Sequence, residues 1–311
     1  MGGDRAPAVT LEAARTVRPE DGIDLVLVGP EEVVAGQGFE YAAANDVVTM
    51  EDKPSRVVRD KPRSSMQIAA ELVRDGRVHG AVSAGNTGAF MATALFTLGR
   101  VPGIERPAFG GIFPTRHGQT FLIDLGANAE VKPHYLLQFA LMGSVYVERL
   151  FGIERPRVGL LNIGEEESKG SQVVQQAYAL LRNASINFIG NVEGKDLPEG
   201  LADVVVCDGF TGNVAVKLSE GLAGVLSGWI REEIGKDKLA ILGAALLRPA
   251  FARVRKRLDY AEYGAAPLFG VNGLAVVAHG RSNAHAVRRA IDIAAGAARH
   301  DLIDAIRSAA T

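Results

Sequence analysis

A loop of small residues follows the apolar stretch at 78–82 and is the first segment that could do chemistry. It reads "SAGNTG" over residues 83–88, and a helical pattern begins directly after it. A strand, a tight turn and a helix start together leave backbone N–H groups exposed, and such groups bind anions. The sequence therefore predicts an anion site whose residues are Ser83, Gly85, Asn86, Thr87 and Gly88.

Five other loops share this composition, in which Gly and Asn dominate beside a few carboxylates and lysines. In a parallel α/β sheet, ligands collect beyond the carboxyl ends of the strands. We therefore expect all six loops to converge on one edge as a polar cradle for a phosphorylated or carbonyl substrate. Turn geometry and helix capping explain Gly and Asn in any single loop, so the prediction rests on the set. The five loops are "DLGAN" (124–128), "NIGEEESKG" (162–170), "GNVEGKD" (190–196), "CDGFTGN" (207–213) and "HGRS" (279–282).

Several familiar catalytic motifs are missing from the sequence. There is no Gly-x-x-x-x-Gly-Lys-Ser/Thr loop, which argues against a nucleoside triphosphatase. The 83–88 loop lacks the glycine spacing of a dinucleotide fingerprint, the histidines lack metal-ligand spacing, and no Gly-x-Ser-x-Gly elbow offers a nucleophile. The one cysteine, Cys207, ends the apolar run "VVVC", which favours a buried structural thiol over a covalent nucleophile. We expect neither a metal nor a cofactor.

A reaction without a protein nucleophile fits this set of residues. Inorganic phosphate has a pKa near neutrality, so its dianion is abundant and can attack a carbonyl group without a strong base. The enzyme then has to position two substrates and stabilise the negative charge of the tetrahedral intermediate. Backbone N–H groups, asparagine amides and lysines can supply that stabilisation.

Short apolar runs alternate with helical patterns along almost the whole chain. The runs are nearly continuously apolar, which is typical of strands covered by helices on both faces. This order predicts a single α/β domain over residues 1–311, a three-layer α/β/α sandwich with a mostly parallel sheet. A His117-Gly118 turn between two runs indicates some antiparallel pairing. Strands are expected at 23–29, 80–85, 121–126, 157–164, 186–191, 203–209 and 274–280, and helices at 64–75, 86–99, 133–150, 169–183, 213–234 and 282–298.

Composition limits the class of protein further. The chain has 311 residues, of which 47% are hydrophobic, and a formal net charge of −2, which excludes a strongly basic nucleic-acid binder. No apolar run reaches the roughly 20 residues that span a bilayer. The single cysteine and the lack of a signal peptide favour a cytoplasmic protein.

Residues 213–260 differ from the rest and predict a projecting helical hairpin. An amphipathic helix is followed by the turn "GKDK" and by "LAILGAALLRPAFARVRKRL", which we expect Pro249 to interrupt. A solvated face explains most charge runs. The alternatives are docking of an acidic carrier protein, peripheral membrane contact and a dimer seam. The basic end of the hairpin contains Arg248, Arg253, Arg255, Lys256 and Arg257.

A set of segments spread over the chain resembles the phosphate acyltransferase family of bacterial phospholipid synthesis. The segments are "MGGDRAP" (1–7), "SSMQIAAELV" (64–73), "VSAGNTGAFMA" (82–92), "LIDLGANAEVKPHYLLQFALMG" (122–143), "LLNIGEEESKG" (160–170), "GNVEGKDL" (190–197), "VVVCDGFTGNVAVKLSEG" (204–221) and "DYAEYGAAPLFGVNG" (259–273). The resemblance implies reversible transfer of a fatty acyl group from acyl carrier protein to phosphate. It also implies a homodimer with a fold like that of phosphate acetyltransferases and isopropylmalate-type dehydrogenases. The enzyme would work at the inner membrane surface, beside a membrane glycerol-3-phosphate acyltransferase that consumes the acyl phosphate.

Within this resemblance, four residues are candidates for catalysis. Asn128 is expected to orient the thioester carbonyl, Lys169 and Lys217 to balance the charge of phosphate, and His279 to protonate the departing thiolate. Glu165, with the two glutamates that follow it, is expected to favour a helix N-terminus. Further candidates for binding phosphate or acyl phosphate are Gly3, Asp4, Asn162, Gly164, Glu165, Asp208, Gly209 and Asn213.

One departure from the family concerns the start of the chain. Family members have an apolar strand directly before the Met-Gly-Gly-Asp segment, whereas this sequence begins at Met1. The resemblance therefore implies that Gly2, Gly3 and Asp4 lack the strand that would hold their turn.

Two alternatives remain open at this point. A dehydrogenase of the related fold would need paired aspartates for a metal and a cofactor loop. A non-catalytic protein that binds acyl groups or phosphate would share most of the same loops, and phosphate-dependent release of free carrier protein separates it from an enzyme.

Overall fold

Two β-sheets form the centre of the protein in the computed structural model, which describes residues 2–258 and 265–310, except the side chains of 255–258. A two-stranded parallel sheet, β1–β2, stands beside an eight-stranded sheet of order β3-β10-β9-β4-β5-β8-β6-β7. The strands are β1 (Val26–Gly29), β2 (Glu40–Ala43), β3 (Gly80–Ser83), β4 (Ala108–Thr115), β5 (Gly118–Ile123), β6 (Arg157–Asn162), β7 (Asn187–Glu193), β8 (Val204–Val206), β9 (Ala265–Phe269) and β10 (Leu274–Ala278).

The direction of the strands reverses inside the large sheet. Strand β9 is antiparallel to both of its neighbours, β10 and β4, and β4 forms an antiparallel hairpin with β5. Strands β3, β10 and β4 therefore run one way, whereas β9, β5, β8, β6 and β7 run the other way. We call the rim where β3 and β10 end the upper rim, and the rim where β5, β6, β7 and β8 end the lower rim. The expected mixed sheet is confirmed, but the expected convergence of six loops on one edge is wrong, because their strands end on two opposite rims.

Helices cover both faces of the sheet and complete the predicted three-layer α/β/α sandwich. On β5, Phe121 and Ile123 pack on one face while Leu122 packs on the other, and every residue of β8 and β10 is buried. Leu125 contacts the apolar clusters beneath both α5 and α8, which places these two helices on the same face. The helices are α1 (Ala8–Arg15), α2 (Glu31–Val34), α3 (Pro54–Asp60), α4 (Ser65–Arg74), α5 (Thr87–Leu98), α6 (Pro133–Phe151), α7 (Gln172–Arg182), α8 (Gly209–Ile234), α9 (Lys238–Leu258), α10 (Ala284–Arg299) and α11 (Leu302–Ala310).

Capping residues explain where the observed helices start relative to the expected ones. Helix α7 begins three residues later than expected because the Ser171 hydroxyl accepts from Val174 N. Helix α8 begins four residues earlier because Asp208 caps it by accepting from Thr211 N. The sequence patterns missed α1, α2, α3, α11, β2 and β9, which are all shorter than ten residues.

Helices α8 and α9 contact each other and form the expected hairpin. The expected break at Pro249 is absent, because α9 continues through this proline. The helix is exposed there, so water can satisfy the carbonyl group that loses its N–H partner. Residues 259–264 of the family-like segment 259–273 lie outside the described residues, as do the side chains of Arg255, Lys256 and Arg257. Within the part of the chain that is described, no helix is long and apolar enough to cross a membrane.

Candidate active site

The upper rim brings the N-terminal turn against two of the predicted loops. Because β3 and β10 are adjacent and parallel, the 83–88 and 279–282 loops leave the sheet side by side. The backbone N–H of Asp4 donates to the carbonyl oxygen of Gly280 at 3.0 Å. A Cβ atom at Gly3 would lie only 2.5 Å from the carbonyl oxygen of Ala84. The turn at residues 3–6 is thus held by the two loops, and only glycine fits at this contact.

The side chain of Asn86 forms its hydrogen bonds within the protein. Its Oδ1 accepts from Ala89 N at 3.0 Å and so caps α5, while its Nδ2 lies 3.2 Å from the carbonyl oxygens of Thr49, Met50 and Asp52. This amide therefore fixes the loop and is not a free donor for an anion, contrary to expectation. The anion-binding groups left at this helix start are the N–H groups of Thr87 and Gly88, which have no partner inside the helix.

Close packing against neighbouring side chains restricts two glycines of the 83–88 loop, whether or not a ligand binds there. A Cβ atom at Gly88 would lie 2.8 Å from Cγ of Pro54, the first residue of α3. A Cβ atom at Gly85 would lie 2.6 Å from the terminal methyl group of Met66. Substitution of Gly88 therefore tests the contact with α3 before it tests phosphate binding.

Charged residues of α8 face the upper rim beside His279. Glu220 of α8 forms an ion pair with Arg281 at 3.1 Å. The pKa of His279 is lowered from its ordinary value, first by partial burial and then by the positive charges of Arg281 and Lys217, while Glu220 acts in the opposite direction. His279 is consequently neutral at pH 7, and Lys217 lies close enough to affect its protonation.

On the lower rim, the buried carboxylate of Asp124 organises the 124–128 loop. Asp124 is 0% exposed, and its Oδ1 accepts from the backbone N–H groups of Phe109, Gly126 and Ala127. Its Oδ2 accepts from both N and Nδ2 of Asn128. Burial raises the pKa of Asp124, and these hydrogen bonds act in the opposite direction. All five contacts are donors, so the carboxylate is held in its ionised form.

Asp124 is a functional residue that is not among the site residues predicted from the sequence. The signal that could have found it is a carboxylate placed in the otherwise apolar run "FLIDLG", since a charge in a buried strand requires partners.

The expected role of Asn128 is not compatible with its hydrogen bonds. Its Nδ2 donates to the carbonyl oxygen of Pro107 at 2.7 Å and to Oδ2 of Asp124 at 2.9 Å. Both amide hydrogens are therefore used inside the protein, and the side chain has no N–H left to orient a thioester carbonyl. Only its Oδ1 remains for a ligand.

Hydrogen bonds join the start of α8 to the 124–128 loop. Asp208 accepts from N and Oγ1 of Thr211, so its carboxylate serves as a helix cap. The N–H of Gly209 donates to the carbonyl oxygen of Asn128 at 2.7 Å, and Nδ2 of Asn213 donates to the carbonyl oxygen of Leu125 at 3.0 Å. These three predicted phosphate ligands therefore have structural partners at the lower rim.

Cys207 is buried, as expected for a structural thiol. Burial, together with the charges of Asp124 and Asp208, raises its pKa well above the ordinary value. The thiol is therefore protonated and inaccessible at neutral pH.

One face of α8 connects the two rims. Asn213, Lys217 and Glu220 are spaced by four and three residues, so they lie on the same side of the helix. Asn213 contacts the 124–128 loop, whereas Glu220 contacts Arg281 of the 279–282 loop. At 1.5 Å per residue, the two contacts are about 10 Å apart along the helix axis. The candidate active site is therefore a strip along α8 with a loop at each end.

The 162–170 loop lies elsewhere on the lower rim. Its Asn162 donates to the carbonyl oxygen of Lys169, and a Cβ atom at Gly164 would lie 2.9 Å from Cγ of Lys169. Strand β6 is six strand spacings from β3, or roughly 29 Å. The structure therefore does not bring Asn162, Gly164, Glu165 or Lys169 together with the 83–88 loop.

The glutamates of the 162–170 loop do not support a helix start. The first turn of α7 contains no acidic residue, and Glu167 instead forms an ion pair at 3.0 Å with Arg182, the last residue of that helix. The expectation that these glutamates favour a helix N-terminus is wrong, because Ser171 sets the start of α7 beyond them.

Solved structures of other proteins share this fold. It resembles the EutD phosphotransacetylase of Staphylococcus aureus, with a TM-score of 0.64 and 17% identity over 94% of this chain and 91% of that one. A branched-chain phosphotransacylase of Enterococcus faecalis has a TM-score of 0.59 and 13% identity over 95% and 96% of the two chains. The chain therefore has the fold seen in phosphotransacylases.

Sequence similarity identifies the family more closely. The profile of the family described as "Fatty acid synthesis protein" matches residues 1–305. A phosphate acyltransferase of Pelotomaculum thermopropionicum is 48% identical, covering 99% of this chain and 92% of the relative, and one of Geobacter sulfurreducens is 48% identical over 94% and 88%. The chain belongs to this phosphate acyltransferase family, and it is an acyltransferase.

Proposed function

We propose that the protein transfers a fatty acyl group reversibly from acyl carrier protein to inorganic phosphate and so supplies acyl phosphate for phospholipid synthesis. The observation that carries this proposal is the upper-rim cluster: the start of α5 follows β3, the strand beside β10, and Lys217 lies near enough to His279, which follows β10, to lower its pKa. N–H groups and an ammonium group suit a phosphate dianion, and a neutral imidazole suits proton transfer. The names of the relatives point to the same acceptor.

In the proposed reaction, phosphate binds to the N–H groups of Thr87 and Gly88, and Lys217 balances its charge. An oxygen of HPO₄²⁻ attacks the thioester carbon, and the negative charge of the tetrahedral intermediate faces Lys217. The C–S bond then breaks to give acyl phosphate and a thiolate. Neutral His279 takes the proton of the phosphate and delivers it to the thiolate, so the products are acyl phosphate and free thiol. No acyl-enzyme forms, which agrees with the burial of Cys207.

The donor and the location of the reaction belong to the same proposal. The α8–α9 hairpin exposes large apolar side chains, among them Trp229, Leu239 and Leu246, of which Leu239 is 79% exposed. Exposed Arg248 and Arg253 follow on α9. Such a surface suits an acidic carrier protein, an anionic membrane surface and a second copy of the chain. We therefore propose a cytoplasmic homodimer that works at the membrane, next to a membrane glycerol-3-phosphate acyltransferase.

Phosphate-dependent release of free carrier protein from its acylated form tests the proposed function. Acyl phosphate and free carrier protein should form in equal amounts, and only when phosphate is present. A protein that binds acylated carrier without releasing it would instead be a non-catalytic binding protein. Trapping an acylated form of the enzyme during turnover would overturn direct attack by phosphate.

A further inference from the structure

Two asparagine side chains at the start of α8 present carbonyl oxygens rather than N–H groups. Nδ2 of Asn128 is held by Pro107 O and Asp124 Oδ2, and Nδ2 of Asn213 is held by Leu125 O. All three partners are acceptors, so the orientation of both amides is unambiguous. Among residues 2–258 and 265–310, no hydrogen bond is formed to Oδ1 of Asn128 or to Oδ1 of Asn213.

The surrounding charges decide which kind of ligand these oxygens can take. Asp124, which accepts from Asn128, and Asp208, which caps α8, place two carboxylates beside these oxygens and make the local field negative. A phosphate dianion is repelled by such a field and would also meet two acceptor oxygens. A neutral N–H donor has neither disadvantage. The lower-rim end of the strip is therefore suited to an amide.

We propose that Oδ1 of Asn128 and Oδ1 of Asn213 bind the amide N–H groups of the pantetheine-type arm that carries the acyl thioester. This inference rests on the proposed function, because the arm belongs to the acyl donor. The face of α8 from Asn213 to Glu220 then aligns the extended arm, with its thioester near His279 and its amides near the 124–128 loop. Asp124 acts as a positioning residue, because its bond to Nδ2 turns Oδ1 of Asn128 outward.

The test replaces the N–H group of the donor instead of relying on the protein alone. Acyl carrier protein is charged either with the natural acylated arm or with a synthetic arm in which the amide nearest the sulfur is an ester. The kcat/KM for phosphate-dependent release of thiol is measured with a chromogenic thiol reagent, to which the buried Cys207 does not contribute. We expect the natural arm to be preferred about 3- to 10-fold, the effect of one hydrogen bond.

Variants then assign that preference to the two asparagines. Asn128→Ala and Asn213→Ala should reduce the preference for the amide toward unity, and so should Asn213→Asp, because a carboxylate cannot donate to Leu125 O and its oxygen is no longer held in place. Asn183→Ala is the matched control, because Asn183 is an exposed residue at the end of α7. If Asn128→Ala fails to fold, as judged by circular dichroism, the inference is still tested by the two Asn213 variants and by the comparison of the amide and ester arms in the unmodified protein.

The possible outcomes separate this inference from the proposed function. Equal kcat/KM for the two arms in the unmodified protein overturns the inference while leaving acyl transfer intact. A preference for the amide that survives both alanine substitutions also overturns it, since the N–H groups are then recognised elsewhere. Failure of the naturally charged carrier to release thiol in the presence of phosphate contradicts the proposed function itself.

Discussion

At the scale of single residues, the polar side chains of the loops serve mainly to hold the backbone. The amide groups of Asn86, Asn128 and Asn213 donate to backbone carbonyl oxygens of neighbouring segments. Residue type alone indicates that an asparagine can bind a ligand, but not which of its atoms are already used. At the upper rim, the groups to which the proposed reaction assigns chemistry are backbone N–H groups, Lys217 and His279.

Asp124→Asn should destabilise the protein strongly without removing any side chain from the catalytic cluster. Three N–H groups donate to Oδ1 of Asp124 and two donate to Oδ2. Whichever oxygen the new NH₂ group replaces, at least two of these donors lose their acceptor. Leaving buried donors unpaired costs about 1–3 kcal/mol for each, so we expect a loss of roughly 3 kcal/mol or more in the free energy of unfolding. The midpoint of urea denaturation measures this loss.

The matched control for Asp124→Asn is Asp60→Asn. Asp60 is exposed and pairs with its neighbour Arg59, so its substitution should change the free energy of unfolding by about 0.5 kcal/mol or less. Equal midpoints for the two variants would show that the Asp124 carboxylate does not hold the loop.

His279→Gln should remove a pH dependence as well as activity. The pKa of His279 lies below its ordinary value, so the neutral form dominates at pH 7. Because neutral His279 accepts the proton of phosphate, the rate should fall as the pH drops through this lowered pKa. We expect His279→Gln to reduce kcat by about 100-fold or more and to abolish that acidic limb.

Phosphate itself titrates in the same range, so rates have to be compared at equal concentrations of the dianion. His79→Gln serves as the control, because His79 is exposed and directly precedes β3, at the opposite end of that strand from the upper-rim cluster. An acidic limb that persists in His279→Gln at constant dianion concentration would remove His279 from proton transfer.

At the scale of elements, the sequence predicts helices better than it predicts where they begin. All six expected helices exist, and α4 and α10 among them show the period of a single apolar face. Their exact starts depend on which of several polar residues caps the first turn, as Ser171 does for α7. Strand β9 was missed because "AAPLF" combines a proline with only a short apolar run.

The basic part of α9 leads to a prediction about the function of the α8–α9 hairpin. Reversing both Arg248 and Arg253 to glutamate should weaken docking of an acidic carrier protein, because charge repulsion mainly slows association. We expect kcat/KM for carrier-bound acyl thioester to fall about 10-fold, with that for the coenzyme A thioester changing less than about twofold. Steady-state kinetics with both donors measures the difference.

Arg149→Glu is a control for charge reversal with half of this charge change, since Arg149 is exposed near the end of α6, on the face of the sheet away from α8. Equal losses with the carrier-bound and coenzyme A donors would count against carrier docking. In that case, cosedimentation with anionic liposomes before and after replacement of Leu239, Leu242 and Leu246 by serine tests membrane contact.

At the scale of the whole molecule, strand direction was the feature that sequence could not supply. An apolar run such as "VVV" of β8 looks the same whichever way it crosses the sheet. Direction is set by pairing between segments far apart in the chain, such as Phe109 with Leu268. The sequence therefore predicts most strands and loops correctly, whereas the prediction that all six loops meet at one rim of the sheet is wrong. The long helix α8, whose role as a connector was not expected, joins the two rims.

This topology separates two lysines for which the sequence predicts the same role, that of balancing the charge of phosphate. Lys217 lies beside His279 at the upper rim, whereas Lys169 follows β6, roughly 29 Å from β3 across the sheet. A charge in direct contact with phosphate contributes several kcal/mol at most, while one several Debye lengths away is screened almost completely. Lys217→Ala should therefore raise the KM for phosphate about 10-fold or more, Lys217→Arg should restore part of the loss, and Lys169→Ala should change it less than about twofold. Phosphate saturation curves for the three variants provide the measurement. An equal rise for Lys169→Ala would place phosphate at the lower rim and exclude the upper-rim cluster as its binding site.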